Sequence, residues 1–519
     1  MRHLTKHPKE RIMKKNILNS ALDGIEVVGN KLPDPLTLFV ALALMIPVIS
    51  WLISMTGWQL VHPGTQETIK VVNLLSAEQI QRMFTDAVKN FTSFPPLGTV
   101  LVAMIGIGVA ERSGLIQTLL KMMVSSVPAG LISAALVFAG VMSSMAADAG
   151  YVVLTPLGAV LFAGLGRHPL AGLAAAFAGV SGGFSANLLL TSLDPLLAGF
   201  TESAAQIYDP AYTVAPTANY YFMLVSVFLV TGIGWWVTDK IVEPRLGEWD
   251  PEYAAESDDE QSDLSTITPR EKTGVWVAMA VFVLTLAGFT ALVAPANGLL
   301  RDAQGGLGPF YHSLVIMICL GFLFPSLAYG LITGSIRNDR DVAKMTGDTL
   351  ATMGAYIVLA FAAAQFVAYF SWSNLGLMFA ISGAALIKTL GLGGLPLLLI
   401  FMGISGTVNL FIGSASAKWA IMSPVFVPML MNLGYSPELA QVTYRIGDSI
   451  TNIITPLLPY FPIVVAFAQR YDRRVKLGTL IAAMLPYSVA MSIGWIIMLV
   501  VWYVLELPLG PGAGLFYGG

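Results

Sequence analysis

Long apolar runs separated by short polar or basic stretches divide this chain, and most of them approach the ~20 residues a helix needs to cross a bilayer. They lie near Leu36–Met55, Leu97–Ala110, Tyr220–Val237, Val275–Val293, Ser313–Ile332, Leu350–Phe370 and Leu480–Val504. Residues 57–96 are more polar, and Leu74, Leu75 and the run Ile80–Phe91 predict an amphipathic helix outside the membrane. Leu115–Met123 reads as a short amphipathic segment, and Leu375–Leu390 as a second short segment.

Four further runs are interrupted. Residues 129–166 are apolar on both sides of a polar centre, Ser143–Gly150, and each arm, about 15 residues, is short for a span. Lys121 before it and Arg167 after it both read as cytoplasmic, so the run is expected to enter and leave on one side as a re-entrant hairpin. Residues 394–433 predict a second hairpin with its tip at Gly413–Lys418. Residues 168–206 and 438–469 predict broken spans, interrupted at G-V-S-G-G-F-S-A-N and R-I-G-D-S-I-T-N. Non-helical backbone at membrane depth is tolerated only where protein encloses it or where it lines a cavity.

The interruptions repeat. Tyr151 opens Y-V-V-L-T-P after the first tip, and Trp419 opens W-A-I-M-S-P after the second. The breaks read G-F-S-A-N-L-L-L-T and G-D-S-I-T-N-I-I-T. Basic residues place the N-terminus and the stretches at Arg337–Lys344 and Arg470–Lys476 in the cytoplasm and leave the C-terminus outside. The expected fold is therefore an all-α polytopic membrane protein with nine spans and two opposed re-entrant hairpins. The second copy starts on the opposite side from the first. Such an inverted-topology repeat with broken helices brings tips and breaks to the bilayer midplane, where carriers bind substrate and coupling ion.

Composition agrees: of 519 residues, 55% are hydrophobic and 11% charged, against about 25% charged in a soluble domain. A net charge of −3 gives no support for nucleic-acid binding. The single Cys319 excludes an intrachain disulfide and a Cys-rich metal site. The expected organisation is a basic cytoplasmic segment 1–35, a first membrane half 36–243, an acidic cytoplasmic linker 244–272, a second half 273–506 and a periplasmic tail 507–519. Glu248–Asp263 holds eight acids and no base, as a solvated linker does. His3, His7, His62, His168 and His312 are scattered at ends and loops without an H-E-x-x-H pattern, which gives a membrane enzyme little support. A channel would use broken helices too, but has no need of two inverted hairpins.

The breaks hold the candidate chemistry. Asn187 and Asn452, with Ser185, Ser449 and Thr451, offer the neutral oxygens that Na⁺ accepts, and Asp448 adds a carboxylate; a cap for each broken helix is the alternative role of the asparagines. Arg445 lies one helical turn from Asp448, which allows an intrahelical pair. Alternatively its planar fork would clamp a substrate carboxylate. Asp194 has no basic residue within ten positions, so it is the candidate proton carrier. Trp419 suits either stacking on an aromatic substrate or packing of the tip. No resident cofactor is expected beyond a candidate Na⁺ at Asn187 and Asn452.

The motifs K-L-P-D-P-L-T-L-F, F-P-P-L-G-T-V-L-V-A-M-I-G-I-G-V-A-E-R-S-G-L-I, S-S-M-A-A-D-A-G-Y-V-V-L-T-P-L and the long stretch Asn409–Pro456 resemble the AbgT family of p-aminobenzoyl-glutamate transporters over nearly the whole chain. The resemblance implies a homodimeric bacterial inner-membrane carrier of nine spans and two hairpins per subunit. Its members move p-aminobenzoyl-glutamate or export p-aminobenzoate-like antimetabolites such as sulfonamides, driven by a proton or sodium gradient. By matching motifs, the family's important positions fall on Asp194, Trp419, Pro437, Arg445 and Asp448, the expected substrate contacts. The family pattern more often has a neutral polar residue where this chain has Lys418, and an acid other than Asp148 in the first tip.

Overall fold

A computed structural model describes residues 35–61, 67–125, 127–146, 149–250, 253, 267–295, 297–455, 458 and 460–518. The basic N-terminal segment, most of the acidic linker and the tip residue Asp148 lie outside the described residues. The first helix, α1 (Pro35–Ser54), is followed by a small antiparallel hairpin of β1 (Gln59–Val61) and β2 (Thr68–Lys70), Gln59 opposite Lys70. The sequence reading missed this hairpin because three-residue strands carry too little alternation to register. The amphipathic α2 (Ala77–Thr92) falls where its pattern places it, and α3 (Pro95–Arg112) and α4 (Leu115–Ser125) follow.

The interrupted runs are interrupted in space. α5 (Ile132–Met142) and α6 (Ala149–Gly164) are the arms on either side of the first tip, which opens with a 3₁₀ turn at Ser143–Ala146. α7 (Pro169–Phe177) widens into a π turn at Ala178–Gly182, unwinds, and resumes as α8 (Leu193–Ala205). After α9 (Tyr220–Val237) and the short α10 (Glu243–Leu246), the second half opens with α11 (Pro269–Val293), α12 (Gly308–Thr333), α13 (Asp339–Thr352), α14 (Gly354–Trp372) and α15 (Leu375–Thr389). α16 (Gly394–Asn409) and α17 (Ala415–Asn432) flank the second tip, α18 (Pro437–Asn452) and α19 (Phe461–Tyr471) flank the second break, and α20 (Leu477–Val504) closes the helical array. The letters R-I-G-D-S-I-T-N, expected as the interruption, are instead helical, and the break opens only beyond Asn452, toward the first helix-breaking proline, Pro456. Among the described residues, seven helical stretches are long and apolar enough to cross a membrane.

The two halves interlock. α5 and α6 pack on α7 and its π turn, and α6 also reaches α19; α16 packs on α18, and α17 also reaches α8. Each pair of arms thus holds the first part of its own broken helix and the last part of the other one. The close approach of α16 and α18 needs Gly447, where a Cβ would sit 2.5 Å from the Met402 carbonyl oxygen. Small residues let membrane helices come this near. Gly447→Ala should force the two helices apart and cut the yield of folded protein severalfold, measured by size-exclusion recovery after detergent extraction.

The C-terminal residues fold back on the helices. Ser436 donates its N–H to the Leu515 carbonyl at 3.0 Å, and Tyr517 donates its N–H to Gly434 at 2.9 Å. Leu509, Ala513 and Leu515 are buried. The tail expected from its lack of charge is a strap across the start of α18.

Candidate functional site

A cavity of 360 Å³ lies where the interruptions meet. Ser144 of the first tip and Tyr151 just after it, Ser416 of the second tip, Phe184 and Ser192 of the first break and Asn452 at the end of α18, before the second break, all line it. Tyr151 stacks on Tyr460 with ring centroids 4.6 Å apart. A larger cavity of 500 Å³ opens beside α11 and α12, but its lining is mostly aliphatic and aromatic, whereas Ser144, Ser192, Ser414, Ser416 and Asn452 give the smaller one the convergent polar groups of a site that orients a polar ligand.

Beside this cavity stand two buried ion pairs, and neither is the expected one. Arg445 does not pair with Asp448 along α18; its Nη1 meets Asp194 Oδ1 at 2.8 Å, across the two halves. Arg445 Nη2 also donates to the Ser185 carbonyl at 3.0 Å, so one face of the guanidinium fork reads the unwound backbone of the first break. Arg445 Nε is buried without a hydrogen-bond partner among the described residues. Asp194 Oδ2 accepts from the Thr191 N–H at 2.7 Å and from Thr191 Oγ1 at 3.0 Å. The premise that Asp194 lacks a basic neighbour is therefore corrected: sequence distance hid a partner that the fold supplies.

Asp448 instead pairs through Oδ1 with Lys418, whose ammonium also donates to Asn409 Oδ1. Both charged side chains are almost wholly enclosed, at 0% and 1% exposure. Asn409 donates to the Asp448 carbonyl, Thr451 Oγ1 and Asn452 Oδ1, each at 2.8 Å, and Asn452 donates to Asp448 Oδ2 at 3.0 Å. A buried charge persists only when it is paired and hydrogen-bonded, and this network meets both conditions.

Most of the remaining candidates have structural partners. Asn187 accepts from the Leu189 N–H at 2.9 Å, as a cap does, and donates to Ser144 Oγ of the first tip at 2.9 Å. Ser185 Oγ and Ser449 Oγ are buried and have no hydrogen-bond partner among the described residues. Trp419 is fully buried, stacked on Tyr444 at 4.5 Å, and donates to Thr201 Oγ1 at 2.8 Å. Thr201 leads on to Gln441 at 2.5 Å, Gln441 to Asn219 at 2.8 Å and Asn219 to the Glu438 carbonyl at 2.9 Å. Trp419 thus opens a polar chain joining the halves. Trp419→Phe keeps the stack and loses the N–H, so it should cost about 1 kcal/mol and lower the thermal midpoint while folding survives.

Pro437 starts α18, beside the N-cap Ser436 that accepts from Leu439 N–H at 3.1 Å, and it does not line the central cavity. Near it, outside the helices, Tyr212 donates to the Glu438 carboxylate at 2.9 Å. Burial, then the charge of Glu438, hold that phenol well above its ordinary range. Reading the sequence did not single out Asn409, Thr201, Gln441 or Tyr444. Asn409 sits in a buried helix among small residues, and only its spacing to the tip hinted at it. The letters Gly179-Val180-Ser181-Gly182-Gly183 match G-x-S-x-G, but they form the π turn, and Ser181 Oγ has no hydrogen-bonding base beside it among the described residues.

The fold recurs in known proteins. The model of the "AbgT putative transporter family" matches residues 20–517. The chain belongs to the AbgT family. Within it, the p-aminobenzoyl-glutamate transport protein of Escherichia coli (strain K12) is 39% identical over 491 residues, 94% of this chain and 95% of that protein. The YdaH transporter of Alcanivorax borkumensis, whose topology was described as unusual, superposes with a TM-score of 0.87 at 45% identity, covering 92% of this chain and all of that one. MtrF of Neisseria gonorrhoeae, described as illuminating a class of antimetabolite efflux pumps, superposes at 0.90 with 46% identity, covering 95% and 100% of the two chains. These AbgT relatives are transporters, not enzymes, and this chain is a helical, polytopic membrane transporter of their family.

Proposed function

We propose that this AbgT protein is a secondary carrier of p-aminobenzoyl-glutamate or of related p-aminobenzoate-like compounds, sulfonamide antimetabolites among them. Two observations of kinship support the substrate class: the Escherichia coli relative carries that name, and MtrF belongs to antimetabolite efflux pumps. One observation of geometry carries the mechanism. Two tips and two breaks surround one cavity, and Arg445 stands one residue behind its lining, held by Asp194 of the other half.

A substrate carboxylate entering this cavity competes with Asp194 for the guanidinium fork. Arg445 is suited to that exchange because its donors lie in one plane and match either carboxylate. When the substrate takes Arg445, Asp194 loses its counter-charge in a low-dielectric site and takes up a proton. Proton and substrate then move together, and the pair Arg445–Asp194 closes again after release. The two interlocked halves rock about the cavity so that it opens to one side at a time. Nine crossings, a cytoplasmic N-terminus, a periplasmic C-terminus and a homodimer in the bacterial inner membrane complete this reading. Asn452 lines the cavity, Asp448, Ser449 and Thr451 stand behind it on α18, Ser185 and Asn187 belong to the first break, and Trp419 and Pro437 fix the helices that carry the site.

Counter-flow in proteoliposomes tests the proposal. Unlabelled p-aminobenzoyl-glutamate inside should drive transient accumulation of the labelled compound, and sulfonamide inside should do the same. Saturable exchange is expected; linear, non-exchanging flux would indicate a channel and contradict the carrier. A second reading, an ion-coupled carrier for another small carboxylate, predicts that the same vesicles exchange a non-aromatic carboxylate more rapidly.

A further inference from the structure

Most of the oxygens that the last turns of α18, next to the second break, offer to a coupling cation are already in use, Ser449 Oγ being the exception among the described residues. Asp448 Oδ1 and Asn409 Oδ1 converge on Lys418 Nζ. Thr451 Oγ1 donates to the Gly447 carbonyl at 2.8 Å and accepts from Asn409. Asn452 Oδ1 accepts from the same amide at 2.8 Å. Three acceptors hold the Asn409 NH₂ group, so its carbonyl oxygen is fixed toward the ammonium. The donor set is of the kind that Na⁺ accepts, a carboxylate with neutral oxygens beside broken helix, yet a cation is covalently present in it. The set does not fit a Na⁺ at Asp448.

The internal repeat gives independent support. Matching Y-V-V-L-T-P to W-A-I-M-S-P puts Gly150 opposite Lys418, and matching G-F-S to G-D-S puts Phe184 opposite Asp448. Neither charge has a counterpart in the first half, where the positive and the negative member are both absent. A Cβ at Gly150 would collide with the Ser143 side chain, which leaves no room there for a long side chain. The second half has accommodated a full lysine with 0% exposure, stacking none of its charge on solvent.

We infer that the Lys418 ammonium is the resident cation of the Asp448–Asn409 site, so that substrate binding by this carrier does not require Na⁺. The inference rests on the carrier reading above and specifies its coupling: a tethered cation cannot be carried across, which leaves no sodium ion to be co-transported at this position. Asp448 and Asn409 keep α16 and α18 in the substrate-binding arrangement through Lys418, as a bound metal ion would. The charge balance is closed, since one ammonium neutralises one carboxylate. Removing the lysine side chain leaves an anionic oxygen nest of the right chemistry for a free monovalent cation, and so should create a sodium dependence where there was none.

The test is equilibrium binding of labelled p-aminobenzoyl-glutamate to purified protein in NaCl and in choline chloride at equal ionic strength. For the natural chain, the dissociation constant should change less than twofold between the salts. For Lys418→Ala, binding should be weak in choline and recover at least tenfold with Na⁺, saturably. Adding Asp448→Asn to Lys418→Ala should remove that recovery, because the anionic ligand is gone. Lys418→Gln, which retains a hydrogen-bonding group of similar length, is the second variant if the alanine protein does not fold. Its binding should also gain a Na⁺ response. A saturable tenfold Na⁺ effect on the natural chain would overturn the inference, as would a folded, substrate-binding Lys418 variant that ignores Na⁺. Absence of substrate binding by the natural chain in both salts would instead strike the proposed substrate, and a thermal shift with Na⁺ in Lys418→Ala alone would still uphold the tethered cation.

Discussion

Arg445→Ala should abolish transport and cost about 3–5 kcal/mol of stability, because it leaves Asp194 as an unpaired charge in a buried site. Asp194 Oδ1 has Arg445 at 2.8 Å as its ionic partner, and only about a tenth of its side chain is exposed, 9%. The two losses have different causes, and a second pair of variants separates them. Asp194→Ala with Arg445→Ala removes both charges and should recover most of the stability, since an absent ion pair costs far less than a broken one. Transport should not recover, because the substrate carboxylate still has no fork. Arg445→Lys keeps a charge for Asp194 but not the planar donors. It should fold in near-normal yield and transport at least tenfold more slowly. Thermal midpoints in detergent and initial rates in proteoliposomes report the two properties. Near-normal transport by Arg445→Lys would remove Arg445 from the clamp.

Asp448→Ala is the second large effect. It strands the Lys418 ammonium with no exposure to solvent and, among the described residues, a single neutral oxygen, Asn409 Oδ1, in contact. It also takes away the acceptor of Asn452 Nδ2. A loss of about 3–5 kcal/mol is expected, seen as a fall in thermal midpoint and in recovered folded protein. Lys418→Met with Asp448→Leu, apolar groups of similar size, should restore the midpoint to near its natural value. If Asp448→Ala alone melted within a degree or so of the natural chain, the ammonium would have another anchor, and the pairing would not hold this part of the fold together.

The contrast between these pairs and the sequence reading shows what a sequence exposes. The interruptions were legible because each violates a local rule: Ser143, Ser144 and Gly150 interrupt an apolar run, and Gly179–Gly183 interrupts a helix, although the second break opens beyond Asn452, after the letters read for it. The apolar helices fell near their expected places for the same reason, apolar length, whereas α13 (Asp339–Thr352), read only as a basic cytoplasmic stretch, was not expected as a helix. The ion pairs were not legible. Arg445 and Asp448 are one turn apart, so local reasoning joined them, but the hairpin arm α17 inserts Lys418 against Asp448 and turns Arg445 toward α8. Partner choice was decided by the packing of one half on the other, which no local spacing records. Trp419 was expected to offer a ring to ligand or to packing, and the fold buries it on Tyr444 with its N–H on Thr201. The C-terminal strap was invisible because residues 507–518 carry no periodicity and are held by backbone hydrogen bonds to Gly434 and Ser436.

The central claim is that substrate passes through the cavity between the two tips. Because Cys319 is the only cysteine, Cys319→Ser gives a background in which Ser416→Cys, on the cavity lining, is the sole thiol. Its rate of modification by a small membrane-impermeant thiol reagent should be measurable in proteoliposomes and should fall at least fivefold at saturating p-aminobenzoyl-glutamate. Labelling that proceeds unchanged while the same vesicles exchange substrate would contradict the account.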